Sequence, residues 1–84
     1  MKQRVTVVDP QRVMEEGAVF GRTICQAIGD ERHFYIALLD MKAQLRQYRT
    51  PRGQFAFIVG LLTEVEFLQG KSTKGVVEEI AYTL

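Results

Sequence analysis

Apolar residues recur along this chain at helical spacing in three long stretches and a short one, each set off by helix punctuation. Asp9-Pro10 and Thr50-Pro51 pair a side-chain oxygen, able to accept an orphan backbone N–H, with a proline that loses nothing at the first helical position. Gly29-Asp30 is a stop followed by a new start, and Gly70-Lys71-Ser72 reads the same way. The pattern predicts helices over residues 11–28, 31–49, 51–69 and 73–84, joined by minimal turns.

On a wheel of about 100° per residue, the first helix gathers Val13, Met14, Gly17, Ala18, Phe20, Gly21, Ile24, Cys25 and Ile28 on one side. Arg12, Glu15, Glu16, Arg22, Thr23 and Gln26 take the other. Gly17, Gly21 and Cys25 fall four residues apart, a stripe of small residues along which a second helix can approach closely. The β-prone run 18–25 also admits a strand.

The second helix carries a bundle seam, Phe34, Leu38, Met41, Leu45 and Tyr48. The third is the most apolar. Phe57, Leu61, Val65 and Leu68 run along most of its length, and Phe55, Ile58, Val59 and Leu62 add a second stripe on its N-terminal half. A helix apolar on two sides is central or shared between subunits. The second stripe is therefore expected either under the glycine stripe of the first helix or, as the favoured reading, in a homodimer interface. The final helix presents Val76, Val77, Ile80 and Leu84, with Glu78 and Glu79 outward. Residues 4–8 alternate as a short strand or extended arm, which needs a partner for its backbone. The expected fold is one all-α domain over 1–84, a bundle of about four short helices with that arm.

Composition narrows the function. With 46% hydrophobic and 25% charged residues the chain has the profile of a folded globular domain. A net charge of +1 gives no global field toward DNA or an anionic membrane, so a nucleic-acid role needs a local patch. A single cysteine excludes an intramolecular disulfide. The longest uncharged run, 53–63, falls far short of the roughly 20 residues of a membrane span. A cytoplasmic protein with no membrane contact and no cofactor is expected.

Candidate chemistry is sparse. The segment Gly70-Lys71-Ser72-Thr73 resembles the end of a phosphate-binding loop, but Val65 stands where that motif needs glycine and a helix stands where it needs a strand. Cys25 sits within an apolar stripe, where a thiol is inert, and His33 sits on a polar face near Asp40 and Gln44. One His and one Cys make neither a catalytic pair nor a metal shell. The carboxylate pairs Glu15-Glu16, Glu64 with Glu66, and Glu78-Glu79 do not converge on one point and read as solvated faces.

One basic constellation stands out. Lys42, Arg46 and Arg49 share a face beside Tyr35 and Leu39, and Arg52 follows in the turn where Thr50 starts the third helix. A phosphate, nucleotide or nucleic-acid backbone fits such a cluster, aided by the helix dipole; a structural or interface-rim role fits it as well. Residues 30–53 carry five Lys or Arg against three Asp or Glu, and residues 54–84 carry two against four, a split that favours complementary pairing of copies. The leading expectation is a non-enzymatic interaction module that binds or inhibits a partner protein as a homodimer. The alternative is a binder of phosphorylated ligands or nucleic acid at Lys42, Arg46, Arg49, Arg52 and Thr50.

Overall fold

Each long helix starts where its cap residue stands. In a computed structural model that describes residues 9–70 and 73–84, Asp9 accepts the Gln11 N–H at 3.0 Å ahead of α1 (Pro10–Gln26). Asp30 accepts the His33 N–H at 3.2 Å ahead of α2 (Glu31–Leu45), and Thr50 accepts the Gly53 N–H at 3.1 Å ahead of α3 (Pro51–Gln69). These bonds satisfy backbone donors that the first helical turn leaves unpaired. A shorter helix, α4 (Thr73–Thr83), completes the fold, and no strand occurs among the described residues. The expected arm at 4–8 lies outside them.

Two helices end earlier than their periodicity implies. After α1 the chain turns through Gly29 at φ 99°, a conformation that L side chains rarely adopt. After α2 the N–H groups of Gln47 and Tyr48 bond to the carbonyls of Gln44 and Leu45, three residues back, so the helix tightens and stops at Leu45 rather than at 49. The strand reading of 18–25 is corrected: the whole run is helical, because its small residues serve a helix contact.

That contact is the main seam of the fold. A Cβ placed on Gly17 would strike the Phe57 carbonyl oxygen, and one on Gly60 the Met14 carbonyl oxygen. On Gly21 it would come within 2.7 Å of the Leu61 carbonyl oxygen. α1 and α3 thus touch backbone to backbone, an approach that offsets the roughly 1 kcal/mol each helical glycine costs. Met14 lies opposite Gly60, and Gly21 opposite Leu61 and Glu64, so the two helices run parallel. α2 returns between their opposite ends.

The core centres on α3, whose Phe57, Leu61 and Val65 are fully buried. Ile24, Leu38, Met41 and Ile80 bring in α1, α2 and α4. The Phe57 ring meets Phe20 edge-on at 5.6 Å and Tyr48 at 5.4 Å. Burying such a side chain stabilises the fold by about 1.5 to 3 kcal/mol. No charged or polar residue is buried among those described. Leu68, expected on the core stripe, is 43% exposed.

Candidate functional site

The basic turn between α2 and α3 is held by one aromatic residue. Tyr48 donates a hydrogen bond from its hydroxyl to Glu16 of α1 and accepts one from Gln44 Nε2 at 3.1 Å. Gln54 Nε2 of α3 donates to the Tyr48 carbonyl at 3.0 Å. Burial pushes the Tyr48 phenol above its ordinary pKa, and the Glu16 carboxylate pushes the same way, while Gln44 partly opposes them. Three helices are thereby tied at one end of the bundle.

Around this anchor, Arg46, Arg49 and Arg52 are exposed and Lys42 is half-buried. None of the four makes an ion pair or side-chain hydrogen bond among the described residues. The start of α3 adds little to them. Pro51 has no N–H, Gly53 gives its own to Thr50 Oγ1, and Gln54 gives its own to the Thr50 carbonyl at 3.0 Å. Thr50 is committed as the cap acceptor and offers a ligand only its hydroxyl proton. The turn presents point charges without a cradle of backbone donors.

The second apolar stripe of α3 is not covered by the glycines of α1, which face Phe57, Leu61 and Glu64 instead. Ile58 and Leu62 are half-buried against the core, Val59 is half-buried, and Phe55 is 70% exposed. Of the four, Phe55 stands largely open.

A second exposed apolar surface lies on α2. Tyr35, Ile36 and Leu39 are 61%, 46% and 45% exposed, and with Ala43 they line the side opposite the buried Ala37, Leu38 and Met41. Arg32 and Arg46 close the two ends of this stripe on the same side of the helix. The sequence carries this signal as a second apolar set at i, i+1 and i+4, weaker than the seam on the other side of the same helix.

At the end of the bundle away from Tyr48, a groove of about 510 Å³ opens between the α1–α2 turn, the end of α3 and α4. Ile28, Phe34 and Val76 form its apolar lining, with the carboxylates of Glu31 and Glu79 on exposed residues beside them and Gln69 on the α3 side.

No known protein family, curated protein or solved structure matches this chain.

The other candidates remain apart. Cys25 is half-buried and hydrogen-bonded with Gln69; burial raises its thiol pKa, Glu64 adds to the rise, and the Gln69 bond opposes it. A thiol so shifted is a poor nucleophile at neutral pH. His33 pairs with Asp30, Nδ1 to Oδ2 at 2.6 Å, rather than with Asp40 or Gln44, because the cap carboxylate is one turn away. That pairing holds the Asp30 carboxyl below its ordinary pKa. Glu64 pairs with Arg22 at 3.3 Å across the α1–α3 seam. No group of three or more His, Cys, Asp or Glu able to hold a metal occurs among the described residues. Nor is any described helix long and apolar enough to cross a membrane.

Proposed function

We propose that this protein is a small non-enzymatic interaction module of the cytoplasm that binds a partner protein through the outer side of α2. The observation that carries the reading is the exposed set Tyr35, Ile36 and Leu39 opposite the core of the same helix. Contiguous apolar surface is costly on a soluble protein and is retained where a partner covers it. Tyrosine supplies a large rigid contact area with little entropy to lose, and the arginines at both ends of the stripe add charge-assisted bonds. The partner that fits is an apolar helix or groove edged by Asp or Glu.

Native mass spectrometry of the protein taken from its own host tests this. A second protein chain retained by wild type and lost from Tyr35→Glu/Leu39→Glu supports the reading. Retention of the same chain by the folded double variant removes it.

Anion binding at Lys42, Arg46, Arg49 and Arg52 is the second reading, supported by four cationic side chains without ionic partners among the described residues. The weak backbone contribution at Thr50 counts against a tight phosphate site. A long duplex contacts several charges at once and would need no such cradle.

A further inference from the structure

We propose that two copies of this chain associate antiparallel, each seating Phe55 in the other's Ile28–Phe34–Val76 groove and bringing Arg52 against the carboxylates of Glu31 and Glu79. This rests on the interaction-module reading and names one of its partners as a second copy, on a surface separate from the outer side of α2.

Complementarity between the two ends of the molecule carries the inference. One end offers an aromatic knob, Phe55, 70% exposed, with Arg52 one turn earlier on the same side of α3 and Arg49 just before it. The other end offers an apolar hole of about 510 Å³ bordered by Glu31 and Glu79. Neither carboxylate has an ionic partner among the described residues, and neither does Arg52. Opposite charges flank an apolar projection and an apolar recess, the arrangement that fixes register in an interface.

The placement suits a two-fold axis. Gln69, which lines the groove, and Phe55 lie within about 40° of each other on the α3 wheel and about 21 Å apart along its axis. Knob and hole thus share a side of α3 at opposite ends. An antiparallel pair satisfies both contacts twice and leaves neither knob nor hole unused. Ile58 and Leu62, between them on α3, complete the strip expected at a dimer interface.

Sedimentation equilibrium of the full chain tests the pairing, with circular dichroism confirming that each variant is folded. Wild type is expected above 9.6 kDa as a reversible dimer. Phe55→Ala is expected to raise the dimer dissociation constant more than about tenfold. Arg52→Glu alone and Glu79→Arg alone are expected to be monomeric, because each sets like charges together at both contacts. Mixed in equal amounts, those two variants are expected to pair with each other, since the exchange restores opposite charges at both. A wild type that stays monomeric to millimolar concentration overturns the proposal, as does a dimer insensitive to Phe55→Ala and to both charge reversals. A dimer broken by Leu39→Glu and not by Phe55→Ala also overturns it by moving self-association to α2. A monomeric wild type leaves the α2 reading untouched, so the two fail separately.

Discussion

Tyr48 donates its hydroxyl proton to Glu16, and this bond joins the α2–α3 turn to α1 beside the basic residues. It fixes the segment carrying Arg46, Arg49 and Arg52 while leaving their side chains in solvent. Tyr48→Phe keeps the ring on Phe57 and removes the bond, so it is expected to cost about 1 kcal/mol, read as a lowered urea midpoint.

The same residue predicts an alkaline response. The folded state raises the Tyr48 pKa, so folding favours the protonated phenol. Its stabilisation is complete below the unfolded-state value of about 10 and is lost as pH rises through the higher folded value. The stability gap between wild type and Tyr48→Phe is expected to hold from pH 7 to 9 and to shrink above pH 10.

Gly60 and Gly75 are both helical glycines with opposite expected responses. Gly60→Ala drives a methyl into the Met14 carbonyl and must part α1 from α3. A net loss of about 1 to 3 kcal/mol is expected, even after the gain in helix propensity. At Gly75 a Cβ meets nothing within 4 Å, so Gly75→Ala is expected to stabilise by about 0.5 to 1 kcal/mol. Thermal melts of the two variants check the seam from both sides.

Phe57→Ala and Leu61→Ala each empty a fully buried position at the centre of α3. Each is expected to cost about 2 to 5 kcal/mol, a large fraction of the stability of a domain this size. Melting temperatures within a degree or two of wild type would show that α3 is peripheral.

Helix number, helix starts and the central place of α3 were legible because they rest on local chemistry: Asp9, Asp30 and Thr50 cap, Pro10 and Pro51 follow, and Phe57, Leu61 and Val65 repeat at helical spacing. The close approach implied by Gly17 and Gly21 was legible, but its target was not. Which side of α3 meets those glycines depends on Gly60, a small residue whose meaning appears only when Met14 stands opposite it. Tyr48 read as a seam residue and does pack on the core, its ring on Phe57, but periodicity ignores the two three-residue bonds that end α2 before it. The groove joins residues from Ile28 to Glu79, and no local pattern brings such distant positions together.

The anion reading has its own discriminant. Four phosphates neutralised by Lys42, Arg46, Arg49 and Arg52 imply a log-log salt slope of about −3.6 on duplex DNA, a loss of roughly two orders of magnitude between 50 and 200 mM salt. Arg46→Ala/Arg49→Ala is then expected to abolish binding without unfolding, since both residues are exposed. Calorimetry against short duplex DNA and a nucleotide panel reads this, and no heat at low salt removes the anion site.

The central claim is that the outer side of α2 is covered by a partner protein. Its most direct test is photocrosslinking in the host cell from a benzophenone amino acid placed at Tyr35, with the same probe at Glu15, an exposed position on the polar side of α1, as the control. The account predicts a discrete adduct with a second protein from position 35, absent at position 15 and lost when Leu39 is changed to Glu. No adduct from position 35, or equal adducts from both positions, would contradict it.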